Sequence, residues 1–160
     1  MTPADLVAHY GMEPIPREGG RFHRTWTGPQ RPDGRPEGTA MIALLTADPD
    51  DYSALHRLPS DETWHFYLGD PLELLLLGPD AATSRTVLLG PDVLGGQHVQ
   101  FTVPAGTWMG GRVAEGGAWT LFGCTMAPGF TDDGYEHGDV AELTARHPAE
   151  AARIAGLCRP

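Results

Sequence analysis

Lysine is absent from this sequence of 160 residues, in which all 11 basic residues are arginines. With 21 acidic residues, the formal net charge is −10 at pH 7. Surfaces that bind nucleic acid or anionic lipid need clustered positive charge to displace counterions. The charge balance therefore argues against both, and we expect neither nucleic acid nor a membrane as a partner.

Long hydrophobic runs and cysteines are also scarce. The longest unbroken apolar run covers residues 40–45, far short of the roughly 18 residues that a membrane-spanning helix needs. The first residues are acidic and lack the apolar segment of a secretory signal. The two cysteines, Cys124 and Cys158, match neither a disulfide framework nor the spacing of zinc ligands. We expect a cytoplasmic globular protein.

Glycine and proline, by contrast, are abundant, at 21 and 15 residues, and they fall between short apolar runs. Short apolar segments separated by glycine and proline are typical of an all-β protein. The predicted strands cover residues 39–46, 52–58, 63–68, 72–77, 85–89, 98–103, 107–113 and 118–126. Short strands separated by turn signals suggest a sandwich or a barrel, and the length fits one domain over residues 1–160.

Short helices are predicted at both ends of the chain. Thr2 has the position of an N-cap, and Gly11 ends the first helix. A capping box that begins at Asp139 opens a second helix, and Pro148 opens a third. Residues 28–38 contain no apolar side chain except proline, which predicts an exposed loop or a mobile lid.

Two predicted strands are apolar on both faces, at residues 41–45 and 74–77. One face of an antiparallel sheet normally meets water, so something must cover the second face. The terminal helices and a second subunit are both candidates, and we expect a homodimer.

The stretch 56–69, HRLPSDETWHFYLG, resembles the first conserved motif of the cupins, with His56 and Glu62 at its first His and its Glu positions. Four blocks are similar, in this order, to the cupin family known as DUF985 or Cupin_5: EGGRFHRTW (18–26), SALHRLPSDETWHFYLGDPLEL (53–74), VPAGTW (103–108) and LFGCTMAPGF (121–130). The resemblance implies an all-β cupin double-stranded β-helix, a small jelly-roll barrel that is usually paired as a homodimer. The biochemical role of the family is largely unassigned.

The sequence departs from the cupin motif at the metal ligands. Leu58 occupies the position of the second histidine and Met109 that of the last one. Leucine and a thioether do not replace imidazole for the first-row metals. A third ligand from His65 or His98 is an open alternative, but we predict neither a bound metal nor another cofactor.

His56 and Glu62 form the strongest candidate pair for acid–base chemistry. In a metal-free barrel we expect them within hydrogen-bond reach, where the carboxylate would hold the tautomer and raise the basicity of the ring. The alternative is a relic of a lost metal site that hydrogen bonds alone satisfy.

Side chains alternate along a strand. If Glu62 faces the interior, as the resemblance implies, Trp64, Phe66 and Leu68 should face it too. His65 and Tyr67 should then lie on the other face, unless a bulge re-aims them. Two interpretations of His65 stay open, a structural hydrogen bond and a catalytic acid–base group.

Several residues are candidates for substrate binding. Gln100 would hold a carbonyl group if its strand face is the interior. Trp64 and Trp108 would offer flat walls for a sugar or aromatic ring, or else pack in the core, which is the commoner role of tryptophan in a β-sheet protein. Arg24 would hold a phosphate or carboxylate, or else form a surface ion pair. The remaining candidates are Phe66, Tyr67 and Met109, and Tyr135 and Glu136 could close over the pocket mouth.

From these residues we predict a metal-independent isomerase, epimerase or cyclase that acts on a small molecule, and the unusual composition hints at secondary metabolism. The support is an analogy to cupin-fold sugar epimerases, which abstract a proton beside a carbonyl without a metal. One alternative is a module that binds a small ligand without turnover. Another is a metal-dependent enzyme with a reduced ligand set.

Overall fold

A computed structural model describes residues 1–80 and 83–159. Its helices are α1 (Pro3–Tyr10), α2 (Val140–Arg146) and α3 (Ala151–Leu157). Its strands are β1 (Glu13–Pro14), β2 (Arg21–Thr27), β3 (Thr39–Thr46), β4 (Ser53–Arg57), β5 (Glu62–Gly69), β6 (Leu72–Leu77), β7 (Ser84–Leu89), β8 (Gln100–Val103), β9 (Trp108–Val113), β10 (Trp119–Met126) and β11 (Glu136–His137).

The strands form two antiparallel sheets. In the first sheet the order is β1-β2-β3-β10-β5-β8, and in the second it is β11-β4-β9-β6-β7. Most neighbouring strands are not consecutive in the chain, as β3 beside β10 and β4 beside β9 show. This order is typical of a jelly roll, and the predicted all-β barrel with short terminal helices is confirmed. Strands β1, β2 and β11 were not predicted, because they are polar or only two residues long.

The core lies between the two sheets and consists of apolar side chains on the inner faces of the longer strands. On β6, alternate residues Leu72 and Leu74 are fully buried in it. Trp64 stacks on Phe122, with ring centroids 5.1 Å apart. Burying large aromatic rings contributes a large share of the stability of such a core.

The chain's own helices cover the outer faces that are apolar. Leu6 of α1 packs with Leu44 and Leu121 on the first sheet. Residues of α2 and α3 cover the outer face of β6; the cluster includes Leu75, Leu77, Leu143, Ile154 and Leu157. The double-sided apolar strands are therefore explained by helix cover, and the homodimer stays a prediction.

Side chains along β5 alternate between the inner and the outer face of the sheet only as far as the middle of the strand. Phe66 pairs with Phe122 and Leu68 with Leu121, so the register shifts around Tyr67. Tyr67 and Leu68 are 44% and 43% exposed. The expectation that Leu68 faces inward is wrong, because this bulge turns the end of the strand outward.

Local signals set the helix ends as predicted. The Asp5 backbone N–H donates to Thr2 Oγ1 (3.2 Å), and Gly11 ends α1 in the left-handed conformation. The Glu142 N–H donates to Asp139 Oδ1 (2.8 Å). In the part of the chain that the structure describes, no helix is long and apolar enough to cross a membrane.

Candidate functional site

A cavity of about 610 Å³ lies against the inner face of the first sheet and takes residues from β2, β3, β4, β5 and β10. Its floor is buried and its mouth is charged. The floor residues are Glu18, His56, Leu58, Glu62, Cys124 and Met126. Around the mouth and upper wall lie Ile15, Pro16, Arg17, Phe22, Arg24, Thr39, Ala40, Met41, Phe130, Thr131, Asp132 and Tyr135.

Glu62 is the first residue of β5 and points into this floor, as predicted. Its side chain is buried, and Oε2 has no hydrogen-bond partner among the described residues. Burial raises the pKa of Glu62 to about 7; His56 opposes the rise and Glu18 adds to it. Near neutral pH this carboxyl group can therefore both donate and accept a proton.

His56 lies on β4 and contacts the floor from the opposite sheet. Its Nδ1 is 2.7 Å from the carbonyl oxygen of Ala54. A carbonyl only accepts, so Nδ1 carries the proton, and in the neutral ring Nε2 holds the lone pair. The ring stacks on Tyr135, with centroids 5.2 Å apart.

The carboxylate nearest to His56 is not the predicted one. His56 Nε2 lies 4.0 Å from Glu18 Oε2, and within the described ranges no hydrogen bond joins His56 to Glu62. The expectation that Glu62 orients the ring by a hydrogen bond is therefore wrong. The Ala54 carbonyl holds the tautomer, and Glu18 supplies the closest negative charge.

Glu18 was not predicted to be a site residue. Ser53 Oγ donates to its Oε1 (2.7 Å), and the Ala54 N–H donates to its backbone carbonyl (2.8 Å). Gly19 follows it with φ of 97°, and a Cβ there would collide with the Tyr52 carbonyl. The pair of glycines in the EGG block signalled this tight turn, which folds Glu18 under the barrel mouth.

Two weakly acidic groups that line the cavity stay protonated. Burial raises the pKa of Tyr135, and Glu18 adds to the effect; the hydroxyl contacts His137 Nδ1 at 2.9 Å. Burial also raises the pKa of Cys124 well above its usual value, reinforced by Glu62. Cys124 is thus a thiol in the cavity floor, since a reactive thiolate needs the opposite shift of pKa.

Three predicted substrate-binding residues lie in the core and do not line the cavity. Trp64 is covered by Phe122, and Phe66 and Met109 pack in the same cluster. Trp108 packs on the other side of the second sheet with α3, under the guanidinium of Arg57 (4.8 Å). The aromatic walls expected from Trp64 and Trp108 are thus absent from the cavity, because core packing takes both rings.

His65, Tyr67 and Gln100 lie on the outer face of the first sheet. His65 Nε2 contacts Thr125 Oγ1 (2.8 Å), and Gln100 Nε2 contacts His65 Nδ1 (3.4 Å). This placement agrees with strand alternation and favours the structural interpretation of His65. The strand face of Gln100 is the exterior, so it does not meet a ligand in the cavity.

Arg24 does line the cavity, as does Tyr135. Glu136, the other residue expected at the mouth, instead forms a two-point pair with Arg57 at 2.6 and 2.8 Å. The predicted site therefore keeps His56, Glu62, Arg24 and Tyr135.

The residues present do not fit a transition metal. Leu58 lines the floor where the motif has its second histidine, and Met109 is buried in the core. Over residues 1–80 and 83–159, no group of three or more His, Cys, Asp or Glu side chains could hold a metal ion.

Two antiparallel sheets around a cavity with a buried carboxyl and an imidazole define a small jelly-roll barrel protein with an internal pocket. The chain belongs to the Cupin_5 family of the cupin superfamily (DUF985), whose family model matches residues 4–138. The resemblance seen in the sequence is thereby confirmed.

Solved structures agree with this assignment. A hypothetical protein from Leishmania major is 30% identical over 100% of both chains, with a TM-score of 0.88. A protein from Shewanella oneidensis is 29% identical over 100% of this chain and 99% of its own, with a TM-score of 0.91. Oxalate decarboxylase from Bacillus subtilis is 13% identical over 91% of this chain and 37% of its own, with a TM-score of 0.54, which shows the fold alone. No curated protein matches the chain.

Proposed function

We propose that the protein is an enzyme that moves protons on a small molecule held in the barrel, as in an isomerase, epimerase or cyclase. The observation that carries the proposal is the placement of Glu62, a buried carboxyl with a pKa of about 7, in one cavity with His56. A carboxyl group with a strongly raised pKa in a cleft is typical of an active site.

The two groups have complementary roles. His56 Nε2 accepts a proton from a carbon beside a carbonyl, and the nearby Glu18 carboxylate stabilises the imidazolium that forms. Protonated Glu62 gives its proton to the carbonyl oxygen as negative charge develops there. The product of this step is an enol, an imidazolium and a carboxylate, so protons and charge balance.

The reverse transfer completes an isomerisation. The Glu62 carboxylate recovers its proton from the enol, and a carbon of the enol takes a proton from the imidazolium. Phe22, Met41 and Phe130 line the wall beside these groups and limit access of water to the enol. Excluding water protects such an intermediate from side reactions.

Proton exchange with solvent tests the proposal without knowledge of the substrate. The protein is incubated in D2O with a small-molecule cell extract, and mass spectrometry detects compounds that gain carbon-bound deuterium. We expect at least one compound to exchange with the natural protein, and Glu62→Gln to slow this by ~10²–10⁴-fold. Thr63→Val is the matched control, since Thr63 is the next residue on β5 and its hydroxyl meets Thr102 on the outer face (2.9 Å).

Compounds in the extract that bind the natural protein yet neither exchange nor react would contradict the proposal and support a binding module. Exchange that Glu62→Gln and Thr63→Val leave equally fast would also contradict it, because the chemistry would then lie elsewhere.

A further inference from the structure

The mouth of the cavity holds two arginines that the chemistry above does not use, Arg17 and Arg24. Within the described ranges neither side chain donates a hydrogen bond or lies within ion-pair distance of a carboxylate. Outside the cavity, Arg57 binds Glu136, whereas Arg21 and Arg85 also have no hydrogen-bond or ion-pair partner among the described residues. Arg17 and Arg24 differ from those two because both line the cavity.

Arg24 extends from β2 across the wall. Its guanidinium carbon lies 5.6 Å from the centre of the Phe130 ring. Its Nε is buried and has no partner in the part of the chain that the structure describes. A buried donor without an acceptor costs free energy, and an acceptor on a bound ligand would remove that cost.

Arg17 is held at the mouth by an unusual backbone. Its φ of 64° is left-handed, and no other residue except glycine has positive φ over residues 1–80 and 83–159. The turn is closed by hydrogen bonds from the N–H of Glu18 to the Pro16 carbonyl (2.7 Å) and from Gly19 to Ile15 (3.1 Å). Its guanidinium carbon lies 4.6 Å from the centre of the Tyr135 ring, which also stacks on His56. Strained backbone of this kind clusters at functional sites.

Acidic groups also line the cavity, but within the described ranges none of them forms an ion pair with Arg17 or Arg24. Glu18 faces Ser53 and His56 on the floor. Glu62 has a raised pKa and keeps its proton for part of the time near neutral pH. Asp132 is exposed at the rim and lies beyond ion-pair distance of both guanidinium groups.

We propose that Arg17 and Arg24 bind an oxyanion group, a carboxylate or a phosphate, on the small molecule that the barrel holds. A guanidinium group presents paired N–H donors that match both oxyanions. The rest of the ligand then extends past Phe130 towards His56 and Glu62. The assignment rests on the proposed function for the identity of the pocket, and it adds the substrate class: small organic acids or phosphate esters.

Three probes of similar shape test this assignment: benzoate, phenyl phosphate and the uncharged benzamide. In isothermal titration calorimetry, the natural protein should bind at least one of the two anions. It should bind benzamide at least about tenfold more weakly than that anion. Whichever anion binds more tightly indicates a carboxylate or a phosphate site.

Three variants locate the binding. We expect Arg24→Gln and Arg17→Gly each to weaken binding of the anion at least about tenfold. Glycine at position 17 accepts the left-handed backbone, so this variant removes the guanidinium without disturbing the turn. Arg85→Gln is the matched control, since Arg85 also lies over an aromatic ring, Phe101 (4.9 Å), but outside the cavity.

Equal binding of benzoate and benzamide would overturn the assignment, as would an equal loss in Arg85→Gln. So would absence of binding of both anions at about 10 mM, where a Kd of about 1 mM would nearly saturate the site. Glu62→Gln separates the two proposals, because it should slow deuterium exchange by ~10²–10⁴-fold and keep anion binding. Arginine-dependent anion binding without exchange in any compound contradicts the enzyme alone, and exchange confined to uncharged compounds contradicts the anion site alone.

Discussion

The two faces of β5 place ionisable groups in opposite surroundings. Glu62 points inward, where it is 5% exposed and has a raised pKa. His65, three residues further on, points outward, and its two ring nitrogens contact Thr125 and Gln100. Since one strand carries both groups, strand geometry alone separates a group that is free to react from one that is engaged in structure.

His56, the other histidine in the comparison, lies on β4 of the second sheet, whereas Glu62 and His65 lie on β5 of the first. His56 has one ring nitrogen held by a backbone carbonyl and the other directed towards Glu18. His65 lies in the half-exposed outer network, where burial lowers its pKa. A chemical role for a histidine therefore depends on which ring nitrogen is left open.

The largest effect is expected on turnover. His56→Gln removes the open ring nitrogen and should slow exchange of the true substrate by ~10²–10⁴-fold. His65→Gln should change the rate by less than about threefold, since it alters a contact outside the cavity. Deuterium exchange rates of both variants measure this, with circular dichroism as a check on folding. Loss of activity in His65→Gln with full activity in His56→Gln would reverse the assignment of the two faces.

The next effect concerns stability and pH. Glu62 binds its proton more tightly in the folded protein, with a pKa of about 7 against 4.5 in the absence of perturbation. Its contribution to stability therefore falls as pH rises from about 4.5 to about 7. Glu62→Gln should be more stable than the natural protein by about 3 kcal/mol at pH 8.5.

This gain should shrink towards zero as the pH falls to about 4.5. Urea unfolding across this range measures it, and Thr63→Val should show no such dependence on pH. A gain for Glu62→Gln that is the same at both ends of the range would mean that the carboxyl titrates normally.

A smaller effect is expected from Glu18→Gln. The amide still accepts from Ser53, so the turn is kept, but the negative charge near His56 Nε2 is lost. The imidazolium that forms during the reaction is then less stabilised, and exchange should slow about tenfold. This corresponds to an increase of about 1.4 kcal/mol in the activation free energy. An unchanged rate would show that Glu18 has only a structural role.

The smallest effect is expected on the outer face. His65→Gln should lower the free energy of unfolding by about 1 kcal/mol or less, the usual net value of one hydrogen bond. Thr125→Val removes the same contact from the other side, and the double variant should cost no more than the larger single loss. Additive losses in urea unfolding would show that the two side chains stabilise the sheet independently.

Strand positions and helix ends were largely readable from the sequence. Strands at Thr39–Thr46 and Leu72–Leu77 have the predicted bounds, because unbroken apolar runs between turn residues are local signals. The inward direction of Glu62 came from the family motif. A bulge on β5 was an open alternative, but its position at Tyr67 was not predicted, since the register shift is a feature of the pairing with β10.

The composition of the site was only partly readable. Trp64 and Trp108 were expected in the cavity because aromatic rings suit ligands, but the same rings suit a core, and sequence does not decide between the two. Glu18 was missed as a neighbour of His56 because the turn that carries it is distant from β4 along the chain. The left-handed Arg17 had no sequence signal, since arginine does not ordinarily favour that conformation.

The sequence by itself determined the family, the caps of α1 and α2, and the loss of the metal ligands at Leu58 and Met109. These depend on residue identity and on hydrogen bonds within a few residues. Only the tertiary structure decided which helices cover the sheets, which carboxylate approaches His56 and which arginines stay unpaired. Those outcomes depend on distances between segments far apart in the chain, which packing of the two sheets sets.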